Sequence, residues 1–276
     1  METIQKEKVK LTAKVVSQEA LTDDICSMWI QADAIAKAAK PGQFISVYTK
    51  DKSKVLPRPI SLCEIDKEQG RLRIVYRVVG AGTKEFSAYQ AGDDIEIMGP
   101  LGNGFPLKEK KAFLIGGGIG IPPMLELAKN LNCEKQMVLG YRDVLFLNKE
   151  FEQYGKVYVA TEDGSAGTKG NVIDAIKANA TALGNYKLSF YDPCVECNGN
   201  NLALTATGTT LTEGRTIAVD PSVIPLGSRV FIEGYGVFIA EDTGGAIKGN
   251  KIDIAVSTHE RANELGVQYA NVYLLK

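Results

Sequence analysis

Three aspartates in the last quarter of the chain, Asp220, Asp242 and Asp253, each follow or interrupt an apolar run: IAVD, FIAED and KIDIAV. Aspartate is a poor strand-interior residue, so three at strand ends point to carboxylates gathered at one place. Crowded, desolvated carboxylates push each other's pKa values apart, and one can then donate a proton near neutral pH. The same residues could equally be turn and cap aspartates, and spacing alone leaves both readings open. A second group lies earlier. Arg58-Pro59-Ile60-Ser61 opens a strand with a guanidinium able to clamp a diphosphate and a hydroxyl able to reach a ring nitrogen. Val75-Tyr76-Arg77 leads into the turn Gly80-Ala81-Gly82-Thr83, whose backbone N–H groups can face phosphate oxygens. Gly116-Gly117-Gly118-Ile119-Gly120 stands between an apolar run and Pro122-Pro123, where a backbone can approach a diphosphate at a helix start. Taken singly, each is also an ordinary strand start or turn.

Other candidates carry less. Cys194-Val195-Glu196-Cys197 offers half a tetrahedral zinc site but no second ligand pair, so two thiols or a labile disulfide is the simpler reading. His259, the only histidine, opens a short helical stretch and reads as a surface residue. Trp29 and Cys63 lie in β runs and read as packed.

The elements that must position these residues fall into three stretches. Residues 1–105 hold VKLTAKVVSQ, QFISVYT, RPISLCEI, RLRIVYRVVG and DDIEIMG, with one helix at ADAIAKAAK stopped by Pro41, which predicts a small β-barrel. Residues 106–180 alternate strands (KAFLIG, QMVLGY, KVYVAT) with helices (MLELAKNL, DVLFLNKEFEQYG, NVIDAIKANA), the rhythm of parallel βαβ units. Three strands would leave one sheet edge bare. Residues 181–276 are again β-rich (YKLSFY, TIAVD, RVFIEG, GVFIAED, KIDIAV, NVYLLK), with one helix, HERANELG, ending at Gly266.

At 276 residues the chain exceeds one typical domain, and 45% hydrophobic with 24% charged residues is globular. A net charge of −1 argues against a general nucleic-acid binder. No apolar run is long enough to predict a membrane span. METIQKEKVK lacks a signal-type apolar core, so the expected location is cytoplasmic.

LPRPISLCEID, VYRVVGAGT, GPLGNGF and LIGGGIGIPPM, in this order, resemble the ferredoxin-reductase superfamily, and within it the electron-transfer subunits of class B dihydroorotate dehydrogenase, over residues 5–178. The resemblance implies an FAD-binding Greek-key barrel followed by a partial, Rossmann-like α/β lobe for NAD(H). It implies that Arg58, Pro59, Ile60, Ser61, Val75, Tyr76, Arg77, Gly82 and Thr83 hold FAD, and that Gly116, Gly117, Gly118 and Gly120 face the NAD diphosphate. The partner it implies is a dihydroorotate dehydrogenase catalytic subunit of pyrimidine biosynthesis. Two features depart from the family. The Cys-Gly-Pro turn near the nicotinamide is missing. The family's [2Fe–2S] cluster needs four thiolates, and after residue 133 only Cys194 and Cys197 occur, so the cluster is expected to be absent.

TIAVDPSVIPLGSRVFIEGYG, AEDTGGAIKGNKIDIAV and NVYLL resemble the 3D domain family over residues 183–276. That resemblance implies a double-psi β-barrel related to membrane-bound lytic transglycosylase A, which cleaves peptidoglycan glycan strands to a 1,6-anhydro sugar. It implies Asp253 as acid and base, Asp242 and Asp220 as orienting carboxylates, Thr243, Gly244 and Gly245 in the cleft floor, and Lys248 steering substrate. The expected whole is a flavin-dependent NAD(P)H oxidoreductase fused to a glycan-cleaving module. The alternatives are that only the glycan-cleaving module works, or that neither half is catalytic. A cytoplasmic address conflicts with an extracellular glycan substrate.

Overall fold

The computed structural model describes residues 8–51, 53–107, 112–193 and 204–275. The chain forms two compact units, Met1–Ala175 and Ile176–Lys276. Cys194 and Cys197 lie outside the described residues.

In the first unit, β1 (Val9–Ala20), β2 (Ile25–Gln31), β3 (Phe44–Tyr48), β4 (Arg58–Asp66), β5 (Arg71–Arg77) and β6 (Asp94–Leu101) close into a barrel in the order β1-β2-β5-β4-β3-β6. Every neighbouring pair is antiparallel. Met28, Ile30, Ile45, Val47, Leu62, Leu72, Ile74 and Ile97 fill its interior, wholly buried. Each such side chain contributes about 1.5–3 kcal/mol of burial. α1 (Asp33–Ala38) adds the buried Ile35 and Ala36 to this core. The stretch read as a Gly-rich turn instead begins a helix, α2 (Ala81–Phe86). Glycine disfavours helix, but Phe86 is fully buried against the Tyr76 and Tyr89 rings, and this packing overrides propensity.

A second layer of the same unit follows: β7 (Ala112–Gly117), a 3-10 turn (Gly118–Gly120), α3 (Pro122–Asn130), β8 (Lys135–Tyr141), α4 (Asn148–Glu152), β9 (Lys156–Thr161) and β10 (Thr168–Lys169), with α5 (Val172–Asn179) after it. The strands form one parallel sheet in the order β10-β9-β8-β7. Two expectations change here. The helix expected over DVLFLNKEFEQYG shrinks to the five residues of α4, because Leu147 sits in the left-handed region at φ 61. The edge expected to be bare carries β10, since positive-φ glycines at 164, 167 and 170 fold the chain back along β9. Thr161 Oγ1 fixes that return, donating to Ala166 O and accepting from Ala166 N–H.

Buried polar contacts join sheet layer to barrel. Glu126 on α3 accepts the Ile65 N–H of β4 at 2.9 Å, and burial pushes its carboxyl above the usual carboxylate range. Arg73 of β5, 6% exposed, bonds Glu64 at 2.8 Å, Ser27 at 2.9 Å and Glu150 of α4 at 2.6 Å.

In the second unit, β11 (Ala180–Tyr191), β12 (Thr216–Ala218), β13 (Arg229–Ile232), β14 (Gly236–Asp242), β15 (Lys251–Ala255) and β16 (Gln268–Leu275) close in the order β11-β15-β12-β14-β13-β16. The β11/β15 and β12/β14 pairs are parallel and the others antiparallel. Leu188, Ile217, Val219, Val230, Ile232, Ala240, Ile252 and Val272 pack the interior. α6 (His259–Leu265) starts at Thr258, whose hydroxyl caps Arg261 N–H, and ends at Gly266 with φ 58. Among the described residues, no helix is long and apolar enough to cross a membrane.

Candidate functional site

The barrel brings the Arg58 and Gly82 segments together. β4 and β5 are neighbours, so Arg58 to Ser61 lies beside the end of β5, and the chain leaving β5 turns directly into α2. A Cβ placed on Gly82 would lie 2.3 Å from Arg58 Nε. Only glycine therefore lets the guanidinium lie over the first turn of α2, where helix amides lack intrahelical partners. Arg58 also donates to Leu56 O. Thr83 Oγ1 accepts from Val79 N–H at 3.0 Å and Gly80 N–H at 3.2 Å, which fixes the approach to the helix. Pro59 is exposed and Ser61 half-buried, whereas the Ile60, Val75 and Tyr76 side chains are buried, so these three face a ligand only through backbone. Val55, Leu56 and Val79 are 81%, 78% and 80% exposed in the same segments. Sequence reading missed this apolar rim, which is suited to a flat aromatic ring.

Gly116 to Gly120 occupies the end of β7 and the 3-10 turn before α3. Gly118 shares a cleft of about 250 Å³ with Asp24, Ile25, Arg77, Tyr141 and Phe146, so the glycine turn and the end of β5 face one space. Arg77 is steered there by Asp24, its Nε lying 3.3 Å from Oδ2.

The three aspartates separate into a pair and a single. Ala218 of β12 is in register with Asp253 of β15 on one side and Asp242 of β14 on the other, so the two carboxylates flank one alanine. Asp242 is 7% exposed and accepts three hydrogen bonds, from Tyr191 O–H at 2.8 Å and from the Ala206 and Thr243 N–H groups at 2.9 Å. Among the described residues, Asp253 Oδ1 is buried with no hydrogen-bond partner. Burial first, and the Asp242 charge second, push the Asp253 carboxyl above the usual range, against a hydrogen bond with Ser189. Asp220 stands in the loop after β12. Its oxygens accept from Gly249 N–H at 2.9 Å and from Ser222 N–H and O–H, and these donors hold its carboxyl down to about 2. Lys248 and Thr243 are exposed nearby in sequence, and Gly244 packs on Ile247, where a Cβ would meet Cγ1 at 2.8 Å. Tyr191 and Ala206 were invisible to sequence reading: Tyr191 lies 51 residues from Asp242 and sits in an unexceptional strand.

Residues 12–105 match the oxidoreductase FAD-binding domain family, and residues 215–276 match the 3D domain family. The electron-transfer subunit of dihydroorotate dehydrogenase B (NAD(+)) from Streptococcus mutans is 44% identical over 188 residues, 63% of this chain and 72% of that one. The chain belongs to the dihydroorotate dehydrogenase B electron-transfer subunit family. Other relatives in that family include the Streptococcus pneumoniae subunit, 42% identical over 58% of this chain and 66% of its own length. The Fusobacterium nucleatum subunit is 42% identical over 57% of this chain and 64% of its own. The chain thus spans about two thirds of the length of the curated relatives it matches. A solved NADH-dependent reduced ferredoxin–NADP oxidoreductase matches with a TM-score of 0.57 and 31% identity, over 60% of this chain and 62% of that one. A ferredoxin reductase of carbazole 1,9a-dioxygenase matches with a TM-score of 0.53 at 21% identity, which supports the fold alone. The first barrel is therefore a ferredoxin-reductase-type FAD-binding domain of this electron-transfer family, and the second closed barrel carries a 3D domain. Among the described residues, no group of three or more His, Cys, Asp or Glu side chains is placed to hold a metal ion.

Proposed function

We propose that the first unit holds FAD and receives reducing equivalents from NADH, and that the second unit cleaves peptidoglycan glycan strands without water. For the first unit the carrying observation is the Arg58–Gly82 approach, a cradle that any Cβ at position 82 would fill. Arg58 would hold the diphosphate, assisted by the first-turn amides of α2; Ser61 and the backbone of Val75 to Arg77 would line the ring, covered by Val55, Leu56 and Val79. Gly116 to Gly120 would take the diphosphate of NADH, and the β7–β10 sheet would serve as a Rossmann-like lobe. FAD, when bound, supplies the exchange of a hydride for single electrons, and the protein contributes position and electrostatics. A dihydroorotate dehydrogenase catalytic subunit is the proposed electron partner.

For the second unit the carrying observation is the buried, unpartnered Oδ1 of Asp253 beside the fully engaged Asp242. A carboxyl whose protonated form burial favours can give its proton to the glycosidic oxygen as the C1–O bond breaks. The resulting carboxylate then takes the proton of the sugar's own C6 hydroxyl as that oxygen bonds to C1, leaving a 1,6-anhydro end. One proton leaves Asp253 and one returns, so no water is consumed. Asp220 keeps the Gly249 and Ser222 loops in place. The two parallel pairs, β11/β15 and β12/β14, support reading this barrel as double-psi.

Two measurements test the proposal separately. Visible absorption of the purified chain, before and after NADH under nitrogen, should give a flavin spectrum that bleaches; a colourless chain refutes the first half. Mass analysis of digested peptidoglycan should give anhydro-muropeptides, absent with Asp253→Asn; hydrated ends, or products unchanged by that substitution, refute the second.

A further inference from the structure

We propose that Tyr191 is the positioning residue of the carboxylate pair: its phenol O–H holds the Asp242 carboxylate in place beside Asp253, so that the mobile proton resides on Asp253. This deepens, and rests on, the acid role given to Asp253.

Hydrogen-bond donors distinguish the two carboxylates. Asp242 and Asp253 flank Ala218 and compete for one proton. Asp242 receives two backbone N–H donors and one side-chain donor, and the side-chain donor is Tyr191 at 2.8 Å. Among the described residues the Asp253 Oδ1 receives none, and the Asp253 carboxyl has only the Ser189 side chain as a hydrogen-bond partner. The phenol is 6% exposed, packed with Leu211, Ala218 and Ala255, so it cannot turn to water instead. Burial and the neighbouring Asp242 carboxylate both push the phenol's own ionisation up, so it stays a donor.

The other charged groups around the pair do not supply this control. Glu241 on β14 is engaged by the Arg215 guanidinium and accepts from Thr216 Oγ1 at 3.0 Å. Asp192, next to Tyr191 on the chain, faces His259 of α6 at 3.5 Å. Among the described residues, Tyr191 is the one side chain bonded to Asp242, whose charge bears on Asp253.

The test is a carboxyl-carbon NMR titration of the full chain labelled at aspartate, with Asp253 and Asp242 assigned by single Asn substitutions. In the parent chain the upper carboxyl step of the pair should belong to Asp253 alone. In Tyr191→Phe, which keeps the ring and its packing, Asp242 should titrate in that same step. The share of the proton on Asp253 should fall, shifting the proton's distribution about tenfold, the equivalent of one pKa unit. Incorporation of 3,5-difluorotyrosine at position 191, a stronger donor of nearly the same shape, should restore the single-site titration, and this holds the test open if the Phe chain folds poorly. A Tyr191→Phe chain in which Asp253 and Asp242 titrate as in the parent overturns the proposal. The readout needs no substrate. Redistribution without anhydro-sugar release would uphold Tyr191 and sink the glycan-cleaving reading, whereas release with an unchanged titration would do the reverse.

Discussion

Asp253→Asn should make the second unit more stable while removing its proposed chemistry. Among the described residues Asp253 Oδ1 is buried without a hydrogen-bond partner; Asn leaves a polar amide there but needs no proton, so it removes the cost of holding the carboxyl protonated, about 1.4 kcal/mol for each pKa unit between the folded and unfolded chains. For a domain of roughly 100 residues, each kcal/mol moves the melting temperature by about 4–8 °C. The gain at neutral pH should therefore be roughly 5–11 °C for each pKa unit that separates the folded from the unfolded carboxyl. Its pH dependence follows from burial. The folded-state pKa of Asp253 lies above its value in the unfolded chain, about 3.9. Folding thus favours the protonated form, and the penalty appears as pH rises above about 4 through the folded-state value. Below about pH 4 the carboxyl is protonated in both states, and the advantage of Asn should shrink to nothing. Thermal melts of the parent and Asn chains between pH 3.5 and 8 read this directly. An Asn chain that melts lower at neutral pH, or whose gain is the same at every pH, would refute the reasoning that burial makes this carboxyl a proton carrier.

Arg58→Ala should lower the flavin bound per chain after gel filtration. Gly82→Ala should do the same with Arg58 intact, since its Cβ would meet Arg58 Nε at 2.3 Å; full flavin in both variants sinks the clamp. Asp220→Asn should lower the melting temperature at pH 6, because the Gly249 and Ser222 donors hold the Asp220 carboxyl at about 2. That stabilisation is complete above the unfolded value of about 3.9 and fades as pH falls through 2, so the two chains should converge in acid. Arg73→Met should cost the first unit about 3 kcal/mol by leaving Glu64 and Glu150 unpaired, at the lower end because Glu150 reaches solvent. Adding Glu64→Gln and Glu150→Gln should recover part of that loss, and a single variant as stable as the parent would show the bridge to be idle.

Strands were the legible part of the sequence. β-rich runs such as RLRIVYRVVG and KIDIAV became β5 and β15, whose Leu72, Ile74, Ile252 and Ile254 are buried as a strand pattern expects. α2 was not legible: a glycine at its N-cap and another inside its six residues argue against helix, and the decisive contact, Phe86 on Tyr76, spans ten positions. β10 was hidden for a similar reason, since two residues carry no periodicity and three glycines rather than any apolar pattern turn the chain. In the candidate site, residue type singled out the three aspartates but could not rank them. Asp242 and Asp253 meet only through their shared register with Ala218, and Asp220 is engaged by the amide of Gly249, 29 residues away. Tyr191 had no signal at all, because a tyrosine in a strand is more often packing than positioning.

The glycine loop raises a separate question: how much of the first unit is needed to shape it. Its geometry is local. A Cβ on Gly116 would lie 3.1 Å from Ile121 Cα, so the backbone doubles back tightly between β7 and α3. Gly118 adopts φ 52, which favours glycine, while Gly117 and Gly120 meet nothing within 4 Å and leave room for an incoming group. Ile121, Leu125 and Ala128 anchor the start and body of α3, and Glu126 ties that helix to β4. The loop is therefore formed by Ala112 to Asn130 and by β8, where Leu139 and Gly140 pair with Gly116 and Gly117, with the barrel as support. Strands beyond β9 are not required to bend it. A chain that holds FAD yet stays oxidised with NADH would accordingly point away from Gly116–Gly120, and toward contacts with the rest of the dinucleotide that these elements do not make.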